Sequence, residues 1–117
     1  MSTEFYIQAT RYENLVRIAF NCPKGAKNGA DFNFMKNAMT MENGDSFAKH
    51  LGSFDKQFDK VKNYTSKALI KLSKTKPFSS EKEFFLDLEG KINFVGTTSQ
   101  LMDIVNKTMD KVLELRE

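Results

Sequence analysis

A long amphipathic helix is the element that this sequence specifies most strongly. Between residues 46 and 74, apolar side chains recur alternately every four and every three residues, which is the spacing of one buried helix face. The repeat runs through Phe47, Leu51, Phe54, Phe58, Val61, Thr65, Ala68 and Leu72. Asp45 or Ser46 can cap the start, and Pro77 lies just beyond the predicted end. We therefore predict one helix over residues 46–74, about 43 Å long.

The segments before and after this helix show the alternating apolar pattern that is typical of β-strands. Residues 4–21 predict a hairpin whose turn lies at residues 11–14. Residues 84–95 predict a second hairpin, because two apolar runs flank a Glu-Gly pair that fits a tight turn. The sequence therefore predicts β-structure on both sides of the long helix.

The remaining segments give one loop, one ambiguous element and a final helix. Residues 22–30 are rich in Gly, Lys and Asn and predict a flexible loop. Residues 31–41 fit either a strand or a short helix, and a third strand is favoured because Asn and Thr are poor helix formers. The C-terminal segment has the apolar spacing of a helix, with Thr98 or Ser99 as its N-cap.

These elements together predict a single α+β domain over residues 1–117. The order is strands, helix, strands, helix, without a strand-helix-strand unit. It predicts an antiparallel sheet of four or five strands with the helices on one face. A helix of about 43 Å is longer than such a sheet, and burial of its overhang against a second copy predicts a homodimer.

Basic charge is concentrated in the predicted long helix. Residues 49–76 contain eight Lys and two Asp, a net charge of +6, whereas the whole chain has a net charge of +3. Six of these lysines fall within about 60° of a helical wheel, opposite the apolar face. They are Lys49, Lys56, Lys60, Lys67, Lys71 and Lys74. Such a row of ammonium groups favours binding to the phosphates of a nucleic acid, and an ordinary solvated helix face is the alternative.

The predicted sheet adds aromatic rings to this basic helix. With the alternate apolar residues packed on the helices, Tyr6 and Phe85 lie on the open face of the sheet, near Arg11 and Arg17. Exposed rings beside cations bind single-stranded nucleic acid by base stacking. In the alternative, the long loop, crossed strands or a second subunit cover these rings.

Residues that could support catalysis or metal binding are scarce. The chain has one Cys and one His, Cys22 and His50, and nothing in their spacing brings them together. A structural zinc site needs three or four Cys and His ligands. We therefore expect no enzymatic activity, no catalytic residues, no metal and no cofactor.

The single cysteine also bears on the cellular compartment. A lone Cys22 and a short, polar N-terminal segment without a secretion signal favour the reducing cytoplasm. Apolar residues nowhere run long enough to cross a bilayer, so we expect no membrane partner.

We therefore expect a small, non-enzymatic nucleic-acid-binding protein whose lysine stripe contacts phosphates, with single strands among its ligands. The alternative is a protein-binding inhibitor or adaptor, of the kind that phages and other mobile elements encode. Such a protein would dock its basic helix in an acidic groove of a larger protein.

Overall fold

The described part of the chain is built from helices. The computed structural model describes residues 3–21, 33, 36–38, 40 and 53–116. Its helices are α1 (Thr3–Ala19), α2 (Ser53–Lys56), α3 (Phe58–Ser73), α4 (Lys82–Ile92) and α5 (Thr98–Arg116), with a 3₁₀ helix at Phe78–Glu81. No strand occurs among these residues, so the predicted α+β sheet is wrong there and the described fold is all-α.

The helices enclose one apolar core. Helices α1 and α4 each pack against both α3 and α5, and α3 and α5 also contact each other. Helices α3 and α5 are therefore neighbours in the core, and each is flanked by α1 and α4. The largest fully buried side chains are Tyr12, Phe85, Leu15, Leu69, Leu72 and Leu101.

Helix α3 confirms the C-terminal part of the predicted long helix. Four consecutive members of its apolar repeat, Val61, Thr65, Ala68 and Leu72, are buried. The helix ends at Ser73, where the Thr75 hydroxyl donates to the carbonyl oxygen of Lys71 at 2.7 Å. The repeat therefore identifies both the face that α3 buries and the place where it stops.

The N-terminal part of the long helix differs from the prediction. A break at Gln57 separates the short α2 from α3, and residues 46–52 lie outside the described part. Helix α3 alone is about 24 Å long. The long overhang that motivated a homodimer is therefore absent from the described residues.

The hairpin predicted over residues 4–21 is wrong, because this segment forms α1. The buried side chains Ala9, Tyr12, Val16 and Ala19 follow one another at spacings of three and four, which match a helix. The predicted turn contains neither Gly nor Pro to interrupt the helix, and Tyr12 in its middle is fully buried.

The hairpin predicted over residues 84–95 is also wrong. Helix α4 passes straight through the expected turn, and the spacing of its buried residues Phe85, Leu88 and Ile92 is again three and four. The favoured third strand at 31–41 is wrong at the described residues 33 and 36–38, which are helical. The loop predicted at 22–30 lies outside the described residues.

Replacing Gly90 with alanine tests this correction at the expected turn. A Cβ atom at this exposed position of α4 meets nothing within 4 Å. We expect Gly90→Ala to raise the free energy of unfolding by about 0.5–1 kcal/mol, because alanine is the better helix former. In a tight hairpin the same change is unfavourable, since the turn needs a positive φ. A lower urea midpoint for G90A would contradict the helical assignment.

The predicted C-terminal helix is confirmed as α5, with its N-cap one residue earlier than predicted. Thr97 Oγ1 accepts the backbone N–H of Gln100 at 3.2 Å, and Gln100 Oε1 accepts the backbone N–H of Thr97 at 3.2 Å. This reciprocal pair is a capping box, which satisfies two backbone donors at the helix start. Gln100 Oε1 also accepts the N–H of Gly96 at 2.8 Å. The α4–α5 connection is therefore held firmly at the start of α5.

Among the described core residues, Tyr12 has a strongly shifted pKa. Its hydroxyl donates to the carbonyl oxygen of Ala38 at 3.1 Å in a buried position. Burial, with a smaller effect from Tyr64, raises the pKa of the Tyr12 phenol well above its usual value. The folded protein therefore stabilises the neutral phenol of Tyr12 relative to the phenolate.

This shift predicts a loss of stability in alkali that depends on Tyr12. The unfolded chain releases this proton near pH ~10 while the folded protein retains it, so stability falls as pH rises above that value. We expect the free energy of unfolding to fall by up to about 1.4 kcal/mol per pH unit above this value. In Tyr12→Phe this fall should be smaller by the same amount per pH unit. Urea unfolding of both proteins at about pH 8 and about pH 11 measures the difference. An identical pH dependence in the two proteins would refute this assignment.

Candidate functional site

Three lysines form the solvent face at the C-terminal end of α3, where Lys67 and Lys71 lie on the helix and Lys74 is its C-cap residue. Lys67, Lys71 and Lys74 are exposed and lie within about 60° of the helix circumference, over about 10 Å of its length. They point away from the core because the buried side chains occupy the other side of α3. We call these three residues the lysine face.

The lysine face has no acidic partner in the described part of the chain. Within that part, the cations that form ion pairs are Arg11, Arg17, Lys91 and Lys111. The sequence contains no Asp or Glu between Asp59 and Glu81. The charge of the lysine face is therefore balanced by solvent ions, which a polyanion can displace.

One lysine of this face is positioned by an aromatic side chain. The Lys67 ammonium lies 5.3 Å from the centroid of the Tyr64 ring, one turn earlier on α3. A cation–π contact at an exposed site contributes about 0.5–1 kcal/mol and leaves the ammonium open to solvent. Lys67 is therefore partly ordered while it remains accessible to a ligand.

Lys60 does not belong to this surface, although the helical wheel places it there. It is half-buried, and its ammonium donates to the carbonyl oxygen of Thr40 at 2.8 Å. This contact joins α3 to a residue twenty positions earlier in the chain. Lys60 therefore has a structural role in the described protein.

The basic surface extends in part beyond the lysine face. Lys76 is exposed just after α3, and Lys56 is exposed on α2. Lys56 lies next to Asp55, a carboxylate that accepts a hydrogen bond from the Thr98 hydroxyl. Lys49 lies outside the described residues. Among the described residues, the positive charge that forms no ion pair is thus concentrated at the C-terminal end of α3.

Comparisons with known proteins give no further guidance. No protein family, curated protein or solved structure matches this chain. The function is therefore inferred from the residues of this surface.

The predicted aromatic face does not form among the described residues. Phe85 is fully buried in the core, where its ring meets Phe84 edge to face with centroids 5.6 Å apart. In a strand, Phe85 would point away from Phe84 and Leu86, but in α4 it shares the buried face with Leu88 and Ile92. Tyr6 lies on α1, and its side chain is outside the described part. The assignment of Phe85 to a binding surface is therefore wrong.

The two predicted arginines lie on α1 and do not join the lysine face. Arg11 Nη1 donates to Asn106 Oδ1 at 3.2 Å and lies 3.7 Å from an Asp110 carboxylate oxygen, so it links α1 to α5. Arg17 donates to Glu13 Oε1 at 3.2 Å within the same helix. Both guanidinium groups make internal contacts instead of flanking an aromatic face.

An exposed aromatic residue that the sequence did not indicate lies after α4. The Phe94 side chain is 88% exposed, more than any other large apolar residue in the described part of the chain. The strand prediction for residues 84–95 did not indicate that Phe94 is exposed. In the structure α4 ends at Ile92, so Phe94 lies in the short connection between α4 and α5. A correct prediction of the end of α4 would have identified Phe94 as a residue of this connection.

Two further expectations concern catalysis and membranes. Among residues 3–21, 33, 36–38, 40 and 53–116, no group of three His, Cys, Asp or Glu side chains could hold a metal ion. Cys22 and His50 lie outside these ranges. None of the helices in the same ranges combines the length and the apolar character that a membrane span requires.

Proposed function

We propose that this protein binds nucleic acid through the lysine face of α3, without catalysis. The observation that carries the proposal is the exposure of Lys67, Lys71 and Lys74 on one helix face with no acidic partner among the described residues. Like charges on adjacent turns repel each other and hold counterions, and binding of phosphates releases those ions. The proposal therefore rests on the electrostatics of one surface.

This surface favours binding that depends little on base sequence. Lysine presents a flexible point charge, and contacts to phosphate position a nucleic acid without reading its bases. Lys76 follows the lysine face in the chain and Lys56 adds an exposed charge on α2, so up to five lysines are available. We expect this binding in the cytoplasm, the reducing compartment that the lone Cys22 favours.

Fluorescence anisotropy with labelled oligonucleotides tests the proposal directly. We expect the wild-type protein to bind single strands of unrelated sequence with similar affinity at low salt, and to release them as salt is raised. The matched control compares Lys71→Glu with Lys107→Glu, which change the net charge equally at exposed positions on two different helices, α3 and α5. K71E should weaken binding more than K107E. Absence of wild-type binding at low salt would refute the proposal.

One observation favours the alternative, a protein-binding inhibitor or adaptor. Ile70 is 36% exposed and lies on α3 between Lys67 and Lys74. An apolar side chain among cations suits an acidic protein groove with an apolar floor. Purification from native extract with and without nuclease separates the two functions. A partner protein that stays bound after nuclease treatment favours the adaptor, and loss of all bound material favours nucleic acid.

A further inference from the structure

The Phe94 ring is held out in solvent by a well-anchored backbone. The N–H of Phe94 donates to the carbonyl oxygen of Lys91 at 3.0 Å, and the N–H of Val95 donates to that of Ile92 at 3.1 Å. Both Ile92 and Val95 are buried, so the residues around Phe94 are fixed to the core. The exposure of the ring therefore follows from the local backbone and not from a loose chain end.

Two lysines lie close to the backbone that carries this ring. The Lys62 ammonium of α3 donates to the carbonyl oxygen of Val95, the residue after Phe94, at 3.4 Å. Lys91, one helical turn before Phe94, is exposed on α4 and pairs with Asp87 at 3.2 Å. Lys62 also places the Phe94 connection beside α3, about 8 Å along the helix axis and about 140° around its circumference from Lys67.

The surroundings of Phe94 distinguish a base from a protein as its partner. Energetically dominant residues of protein interfaces cluster in an apolar, closely packed centre. The residues next to Phe94 that share its exposure are Asn93, Gly96 and Thr97, which give no apolar patch around the ring. An isolated exposed ring is instead a surface on which an unpaired base can stack.

We infer that Phe94 is a stacking platform for an unpaired base, so the preferred ligand is single-stranded nucleic acid. This inference rests on the proposed function, because the lysine face supplies the attraction for the phosphates. The base lies flat on the exposed ring while the backbone of the strand passes around α3 to the lysine face. A duplex keeps its bases stacked on each other and makes only the phosphate contacts.

Removal of the ring tests the inference by affinity. We expect Phe94→Ala to weaken binding to labelled oligo(dT) about 5- to 150-fold, the range measured for the loss of one stacked base. Binding to a labelled hairpin duplex should not change, nor should the salt dependence of either. Phe94→Leu keeps an apolar side chain without a flat ring and should resemble F94A. Equal oligo(dT) affinity for wild type and F94A would overturn the inference and leave the proposed function standing.

Tryptophan fluorescence gives a second, direct readout. The chain contains no Trp, so Phe94→Trp introduces a single fluorophore at the proposed platform. Oligo(dT) should quench F94W strongly, and it should leave Leu113→Trp nearly unchanged. Leu113 is 51% exposed and lies near the far end of α5, so it is the matched control. Equal quenching of the two variants would overturn the inference. If the wild-type protein binds neither the single strand nor the duplex, both the proposed function and this inference are wrong.

Discussion

Replacing Phe85 with alanine is expected to lower the free energy of unfolding by about 3–5 kcal/mol, the usual cost of a deleted core aromatic ring. The ring is fully buried between α3, α4 and the rest of the core, so its removal leaves a cavity as well as lost apolar contacts. Urea unfolding followed by circular dichroism measures the change. This is the largest stability effect that we expect from any single substitution proposed here.

The companion substitution Phe94→Ala removes the same side chain from an exposed site. We expect it to change the unfolding free energy by no more than about 0.5 kcal/mol, because the ring is 88% exposed. The unfolding free energy of Phe85→Leu should lie between those of F85A and F94A. This variant keeps the comparison measurable if F85A does not fold. Similar stabilities for F85A and F94A would show that Phe85 is not a core residue.

Reversal of the whole lysine face is expected to lower nucleic-acid affinity about 100-fold, if each lost phosphate contact is worth about 1 kcal/mol. The variant is Lys67→Glu, Lys71→Glu and Lys74→Glu combined. The affinity for unrelated sequences should fall by the same factor, because these side chains contact phosphates and not base edges. Anisotropy titrations with two oligonucleotides of different sequence measure the change.

The same triple variant should remain folded. Its three positions are exposed and their side chains form no ion pairs within the described part of the chain, so the unfolding free energy should change little. Lys107→Glu, a single charge reversal on α5, is the control for the single variant K71E. A triple variant that binds like the wild type, or a K107E protein that loses as much affinity as K71E, would refute the assignment of the lysine face.

The elements that sequence patterns predicted well are the ones with long apolar repeats. In α3 and α5 the repeat extends over four or more turns, and a strand cannot reproduce it over that length. In residues 84–95 the apolar residues are nearly continuous, so Phe84, Leu86 and Leu88 fit a strand as well as Phe85, Leu88 and Ile92 fit a helix. The Glu-Gly pair then favoured a hairpin, although a helix tolerates one exposed glycine at a cost of about 1 kcal/mol.

The errors in the candidate site follow from those errors in the fold. Assignment of residues 84–95 to strands placed Phe85 outside, whereas the helical period buries Phe85. The end of α4 at Ile92 then leaves Phe94 exposed in a short connection. The lysine face was predictable because α3 was correct. The inward position of Lys60 was not predictable, since it depends on a contact with Thr40 that no local pattern reveals.

The salt dependence of oligonucleotide binding tests most directly whether the lysine face contacts phosphates. A plot of log affinity against log salt concentration should have a slope of about −2 to −3.5 for the wild type with single strands, from three to five phosphate contacts. The slope for the combined K67E, K71E and K74E variant should be shallower by about 2, because this variant lacks three phosphate contacts. Equal slopes for the two proteins would show that nucleic acid, if it binds, binds elsewhere.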